Sequence, residues 1–340
     1  MSHRFLVSTI VLLAIIWPAS LPVPVQGQSR SSVSAPVKAW TPPKTPSGAP
    51  DLEGIWTTTT TAPFERPAQF GNRLFLTDEE IAQAERQLGR QLEADGEETV
   101  SSAARATTGP PAHWTERASR VSRQTSLVVE PADGRVPVTA WAEAKRDHDL
   151  AYIDSWEYMS PWDRCITRGM PAGMFPGGYG NVYEIVQAPG VVAIVSEMIH
   201  ETRVIPTNGP PHPNIRQWSG DSSGRWEGNT LVVETTNYNG KGWIATNVAS
   251  GRIKGIPQSE ALRVVERFTR AAADTIQYEV TIDDPNVYTK PWKVSFPFTR
   301  DPKAQMFEYA CHEGNYAMSN ILSGARADER AAAEAARKQK

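Results

Sequence analysis

Two ionisable residues fall among apolar residues on the predicted inner faces of β-strands. Alternation over residues 191–205 places His200 on the same face as four apolar residues, and alternation over 262–270 places Glu266 on the same face as three. A histidine and a carboxylate in a half-apolar cavity are the usual parts of general acid–base catalysis. We therefore predict that His200 and Glu266 are catalytic and face the interior. The alternative is that they bond to each other and only hold the core together.

A second catalytic pair is predicted at the turn that follows Cys311. The chain has only two cysteines, and in an exported protein Cys165 and Cys311 are expected to form a disulfide. That bond would hold His312 and Glu313 with little freedom, as catalysis requires. The alternatives are a polar turn without a catalytic role and, for the cysteines, a catalytic thiol.

Candidates for substrate binding follow in the next part of the chain. Prolines on both sides of His212 favour a stiff, extended segment that could aim the ring at a ligand, although a solvated loop residue is the alternative. For Glu197, Glu201 and Arg203, alternation favours an external ladder of cross-strand ion pairs over a role in binding. The predicted binding residues are His212, Arg203, Glu197, Asp221 and Arg225.

Two other chemistries receive less support from the spacing of the residues. The segment Gly220–Gly224 resembles serine-hydrolase nucleophile motifs, but it matches neither the trypsin-like pattern nor Gly-x-Ser-x-Gly, so a turn is favoured. His200, His212 and His312 could meet as a three-histidine metal site, but no HExxH or HxH spacing supports one. We therefore predict no metal and no cofactor.

The N-terminus predicts export. Arg4 precedes an apolar run of about 13 residues, which is shorter than the roughly 20 that a membrane-spanning helix needs. Small residues before Gln28 suggest cleavage there, with a retained signal anchor as the alternative. The expected location is periplasmic or secreted, with no membrane span after cleavage. The net charge of −3 offers no basic surface for nucleic acid.

The elements that must position these residues are mainly antiparallel β-strands. Short connections between eight predicted strands favour a calycin-like barrel over an open sheet. The predicted strands are 182–187, 191–205, 225–227, 230–236, 262–270, 275–283, 290–298 and 305–310. The predicted organisation is a signal peptide (1–27), a Pro/Ser-rich linker (28–50), an irregular and helical cover with a hairpin (51–180), the barrel core (181–324) and a charged tail (325–340).

In the cover, Thr77 and Glu80 predict the capping box of a helix that runs to about Glu93, and residues 139–150 predict a second helix. The predicted hairpin is 125–138 with its turn at 131–134, and the irregular loop 152–180 could lie across the barrel mouth.

Several motifs resemble those of a large family of exported, β-rich bacterial proteins. These are Glu197–Arg203, Gly220–Gly228, Glu308–Tyr316 and the opening Asp51–Trp56. The resemblance covers nearly all of the mature chain. It implies export and a set of motif residues, and it implies no particular reaction.

The predicted function is that of an exported enzyme using acid–base chemistry on a small organic molecule bound in the barrel. A lyase, an isomerase and a hydrolase all fit. The alternatives are a non-catalytic barrel that binds an apolar or aromatic ligand, and a structural or interaction protein of the cell envelope. A polar cavity favours the enzyme, an apolar cavity favours the binding protein, and a filled barrel favours the structural protein.

Overall fold

The computed structural model describes residues 40–97, 115–152, 154–300 and 304–338, all within the unit Trp40–Lys340. The predicted signal peptide and most of the predicted linker lie outside these residues. The predicted mainly antiparallel, barrel-like fold is confirmed. The strands are β1 (Gly54–Thr57), β2 (Val128–Glu130), β3 (Val182–Ala188), β4 (Val191–Ser196), β5 (Thr202–Pro206), β6 (Asp221–Glu227), β7 (Thr230–Thr236), β8 (Arg263–Ala272), β9 (Thr275–Asp283) and β10 (Trp292–Thr299), and the helices are α1 (Asp78–Glu97), α2 (Ala140–Ala151) and α3 (Ala317–Lys338).

The strands form one antiparallel sheet that curls into a nearly closed barrel. Its order is β5-β4-β3-β1-β10-β9-β8-β7-β6, and β2 pairs with β10 beside this path. The two edge strands approach each other where the N–H of Gly209 donates to the carbonyl of Gly224 at 3.0 Å. A Cβ atom at Gly224 would lie 2.8 Å from Cγ2 of Ile205, so glycine is required for this close approach.

The barrel interior is packed with side chains from the faces that alternation predicts. The Glu266 side chain on β8 points inward as predicted and is fully buried. Tyr278 packs against phenylalanine rings in tilted arrangements, and its ring centroid lies 5.1 Å from that of Phe296 and 5.2 Å from that of Phe298. Ring packing of this kind contributes beyond simple area burial. The fully buried residues of β9 and β10 are Ile276, Tyr278, Val280, Ile282, Trp292, Val294, Phe296 and Phe298.

Both predicted helices of the cover are present, and α1 begins at its predicted cap. The Thr77 hydroxyl accepts from the N–H of Glu80 at 3.3 Å, and the Glu80 carboxylate accepts from the N–H of Thr77 at 2.8 Å. This reciprocal pair is the capping box that the sequence predicts at the start of α1. Thr139 accepts from the N–H of Ala142 and caps α2 in the same way.

Three predictions about which segments join the sheet are wrong. Residues 54–57, which we placed in the cover, form β1 between β3 and β10. The predicted hairpin at 125–138 has the expected turn, but β2 pairs with β10 and residues 135–138 form no strand. Residues 305–310 also form no strand. β1 and β2 occupy the edge of β10 that this segment would need, so long-range pairing overrides its local pattern.

The predicted strand 191–205 is in fact two strands joined by a tight turn, Met198–His200. Ile199 and His200 take the left-handed conformation, with φ of 61° and 41°. A non-glycine residue seldom adopts this conformation, least of all a β-branched one. The turn resets the alternation, so β5 presents to the interior residues that a continuous strand would present to solvent.

The C-terminal helix α3 begins earlier than the predicted tail and has no buried residue along its length. In the described ranges, no helix combines the length and the apolar character that crossing a membrane would require.

Candidate functional site

A buried ion pair between Arg203 and Glu266 joins the two sides of the barrel. Nη1 of Arg203 donates to Oε1 of Glu266 at 2.9 Å, and Nη2 donates to Oε2. Two further N–H groups of Arg203 donate hydrogen bonds: Nε donates to Ser222 at 2.9 Å, and Nη2 donates to Thr235 at 2.8 Å. The hydroxyl of Tyr278 donates to Glu266 at 2.9 Å. The cluster therefore connects β5 with β6, β7, β8 and β9.

Mutual pairing holds both charges of this cluster in place. Burial by itself would lower the pKa of Arg203, but the Glu266 carboxylate more than offsets it, so the pKa is raised above its ordinary value. Burial, together with the nearby Glu266 charge, also raises the pKa of Tyr278 far above its ordinary value. The Glu266 carboxylate is thus fully engaged as an acceptor, and no histidine contacts it among the described residues.

A cavity of about 310 Å³ lies beside the turn between β4 and β5. One wall comes from β4, β5 and the start of β6, and the other from the irregular segment 168–174, which we expected to lie across the barrel mouth. Its volume is at the lower end of the range for small-molecule sites. The residues that line it are Arg168, Gly169, Met170, Gly173, Met174, Tyr183, Ile194, Ser196, Met198, Glu201, Thr202, Arg203, Val204, Gln217, Ser219, Gly220, Asp221 and Ser222.

Glu201 is the carboxylate that two hydroxyl groups hold in the cavity wall. Thr167 donates to Oε2 at 2.6 Å, and Ser219 donates to Oε1 at 2.6 Å. The hydroxyl groups of Thr167 and Ser219 are themselves 3.1 Å apart. This bracket fixes the orientation of the carboxylate on a scaffold shared by three separate segments of the chain.

Asp221 lines the cavity and also contacts His212. Its Oδ2 lies 2.6 Å from Nδ1 of His212, and both side chains are about one-quarter exposed. A carboxylate on Nδ1 selects the tautomer and the orientation of an imidazole ring, and it leaves Nε2 as the group that can exchange a proton. The structure therefore brings together two of the predicted binding residues.

Tyr183 and Arg168 complete the polar part of the cavity wall. Burial raises the pKa of the Tyr183 phenol to about 12, so this group is neutral at ordinary pH, and it donates to the carbonyl of Gly173. The Arg168 side chain is 3% exposed, and its Nη1 donates to the carbonyl of Gly180 at 3.3 Å.

The predicted disulfide between Cys165 and Cys311 is confirmed, with sulfur atoms 2.07 Å apart. It ties the segment that carries Thr167 and Arg168 to the C-terminal part of the chain, 146 residues away. The bond thus braces one wall of the cavity.

The predicted inward orientation of His200 is wrong. His200 lies in the turn between β4 and β5 and is exposed, because the left-handed backbone at Ile199 and His200 reverses the chain before β5. Arg203 takes the inward position that continuous alternation assigns to His200. The external ion-pair ladder that we considered for Arg203 is therefore also wrong.

Four further predicted site residues lie away from the cavity. His312 and Glu313 are exposed in the turn after Cys311, and neither lines the cavity in the described structure. Arg225 faces outward and pairs with Glu227 at 2.7 Å, because alternation along β6 directs it to solvent. Glu197 accepts from the N–H of Phe307 at 2.9 Å instead of entering the cavity.

The described residues contain no group of three histidine, cysteine, aspartate or glutamate side chains arranged to hold a metal ion. The alternative of a site formed by His200, His212 and His312 therefore has no support in the structure.

Comparison with known proteins returned no significant match among family models, curated proteins or solved structures. The candidate site is thus defined by its own geometry.

Sequence reasoning missed five residues of the site. Alternation assigns Glu201 to the external ladder of ion pairs, and the sequence predicts no role for Thr167, Arg168, Tyr183 and Ser219. Thr167 and Arg168 lie in an irregular segment, where no periodicity indicates which side chains are buried. One signal could have pointed to Arg168: it follows Cys165 by three residues, and the disulfide holds that segment in place. Ser219 precedes β6 and carries no signal of its own.

Proposed function

We propose that this protein is an exported enzyme that binds a small organic molecule in the cavity beside the β4–β5 turn and acts on it by proton transfer. One observation carries the proposal: Asp221 belongs to the cavity wall and also holds Nδ1 of His212 at 2.6 Å. A carboxylate-oriented imidazole is a common general acid–base group.

Glu201 supplies the second ionisable group of the proposed mechanism. Its carboxylate lies in the same wall, and the hydroxyl groups of Thr167 and Ser219 fix its position. His212 does not line the cavity itself but contacts its wall through Asp221. Together with Glu201 it supplies two proton-transfer groups, which suit a lyase, an isomerase or a hydrolase. Export is supported by the disulfide, which is typical of oxidising compartments.

The second candidate is a binding protein without turnover. It is favoured by the placement of the four predicted catalytic residues. Glu266 is paired with Arg203, and the other three, His200, His312 and Glu313, are exposed. The cavity wall combines charged and apolar side chains, so it differs from the apolar cavity that the sequence analysis associated with a binding protein.

The test is a screen of small organic molecules against the purified exported protein. Binding is measured by thermal shift, and chemistry is followed by proton NMR in D₂O as product formation or exchange of C–H protons. We expect His212→Gln and Asp221→Asn to abolish the chemistry and to retain most of the binding. Arg225→Gln, on the outer face, is the matched control and should behave as the wild type.

Binding without conversion or exchange would favour the second candidate. A screen in which nothing binds would exclude both.

A further inference from the structure

Arg168 is a buried cation that has no anionic partner among the described residues, and its guanidinium carbon makes a cation–π contact 5.5 Å from the centre of the Trp162 ring. Its Nε and Nη2 atoms make no hydrogen bond in the described structure, and no described carboxylate pairs with it. Glu116 contacts the same Gly180, but its carboxylate accepts from the backbone N–H groups of Gly180 and Asn181 and not from Arg168. A buried charge without a partner is costly, so such a group usually marks a place where a partner binds.

The two free nitrogen atoms lie on the same edge of the guanidinium group. Nε–H and one N–H of Nη2 point in parallel, and their spacing matches the two oxygen atoms of a carboxylate. The third nitrogen, Nη1, is occupied by the carbonyl of Gly180. Arg168 therefore presents the side-on fork that arginine uses to bind a planar carboxylate.

The rest of the cavity suits an apolar body attached to that carboxylate. Five apolar side chains line it, and the neutral Tyr183 ring contributes a further flat surface. The apolar lining residues are Met170, Met174, Met198, Ile194 and Val204. A volume of about 310 Å³ limits the ligand to a compact molecule.

Charge balance favours a carboxylate over a doubly charged phosphate. Glu201 and Asp221 share the wall with Arg168, whereas the charge of Arg203 is already offset by Glu266. A monoanion therefore meets the unpaired edge of Arg168, whereas a dianion would bring excess negative charge close to two carboxylates.

Access to the free edge requires a side chain to move. Nε and Nη2 are closed off from solvent. Met198 lines the cavity and lies near Nη1 of the same guanidinium group. A Cβ atom built on Gly180 would lie 2.5 Å from Cε of Met198 and 3.6 Å from Nη1 of Arg168, so both side chains border that glycine. Methionine repacks readily because it is unbranched and polarisable.

We propose that the cavity binds a small monocarboxylate with an apolar or aromatic body, and that the Nε–Nη2 edge of Arg168 holds its carboxylate. This inference rests on the proposed function, because it assigns a ligand class to the same cavity.

Isothermal titration of the purified exported protein tests this assignment with two matched pairs, benzoate against benzamide and phenylacetate against phenylacetamide. We expect at least one acid to bind, and its amide to bind on the order of 10–100-fold more weakly, as the loss of charge-assisted hydrogen bonds predicts. Arg168→Gln should weaken binding of the acid by a similar factor, and Arg168→Lys should recover part of it. Arg225→Gln should bind as the wild type does.

Each alternative outcome has a separate meaning. Equal binding of acid and amide would overturn the carboxylate assignment and leave the proposed cavity function standing. Acid binding that Arg168→Gln does not change would overturn the role of Arg168. If neither acids nor amides bind, while other neutral molecules do in the general screen, the ligand class is wrong; if nothing binds in either, the proposed function fails as well. The acid–amide comparison uses the wild type alone, so it remains decisive if Arg168→Gln does not fold.

Discussion

Two buried arginines line the same cavity, but their surroundings differ sharply. Arg203 makes two hydrogen bonds to Glu266, one to Ser222 and one to Thr235, whereas Arg168 makes one long bond to a backbone carbonyl. Both charges are withdrawn from solvent, and among the described residues only Arg203 is paired with a carboxylate, whereas Arg168 contacts the Trp162 ring. The difference indicates that Arg203 is buried for the fold and Arg168 for a ligand.

The positions of the two arginines in the fold agree with this division. Arg203 lies on β5, where its hydrogen bonds link the strands that close the barrel. Arg168 lies on an irregular segment that the Cys165–Cys311 bond holds against the barrel. Binding groups are common on irregular segments that a rigid scaffold positions.

The largest expected effect is the loss of the Arg203 charge. Arg203→Met leaves the fully buried Glu266 carboxylate without its cation, and we expect the free energy of unfolding to fall by roughly 3–5 kcal/mol. Urea denaturation monitored by tryptophan fluorescence measures it. The matched control is Arg225→Met, which removes an exposed ion pair and should change stability by less than about 1 kcal/mol. If the two variants are equally stable, the structural role of Arg203 is wrong.

Loss of the disulfide should have the next largest effect. The bond closes a loop of 146 residues, and a native disulfide of this kind typically contributes roughly 2–5 kcal/mol. Cys165→Ser combined with Cys311→Ser should therefore lower the unfolding midpoint and also weaken ligand binding, since Arg168 loses its anchor. Adding reductant to the wild type should reproduce the shift, and adding it to the double variant should cause none. Ligand affinity unaffected by the double substitution would show that the bond does not position Arg168.

Replacing Arg168 should have the opposite sign to replacing Arg203. Arg168→Met removes a buried charge that no described carboxylate pairs with, one weak hydrogen bond and the contact with the Trp162 ring, so we expect stability to be unchanged or to rise by up to about 1 kcal/mol. The same urea titration, run beside Arg203→Met, gives the comparison directly. Destabilisation similar to that of Arg203→Met would mean that Arg168 is a structural residue.

Glu197 should show the smallest effect, as a dependence of stability on pH. Burial raises the pKa of its carboxyl, so the folded state retains a proton that the unfolded state has already released. Stability should therefore decline as the pH rises from the ordinary glutamate pKa through the folded value. Glu197→Gln removes this decline and can still accept from the N–H of Phe307.

Urea denaturation at pH 4 and pH 7 measures the Glu197 effect. The variant should match the wild type at pH 4 and exceed it at pH 7 by less than about 1 kcal/mol, because solvent screens the half-buried group. A variant less stable than the wild type at pH 7 would indicate that a cation compensates Glu197, and Arg168 would be the first candidate.

Local pattern was sufficient wherever a strand runs without interruption. Alternation along β8, β9 and β10 correctly predicted which side chains face inward, including Glu266, because successive residues of a strand must point to opposite faces. The capping box at Thr77 and the disulfide were equally predictable, since one depends on residues three apart and the other on there being only two cysteines.

Only the tertiary structure decided the contents of the candidate site. The turn at Ile199 contains no glycine, proline or asparagine, so the sequence carries no sign that alternation is reset there and that Arg203 replaces His200 inside. The partner of Glu266, the bracket around Glu201 and the isolation of Arg168 all depend on contacts between segments far apart in the chain. Such contacts are set by strand pairing and loop packing over long distances, which a pattern within one strand does not encode.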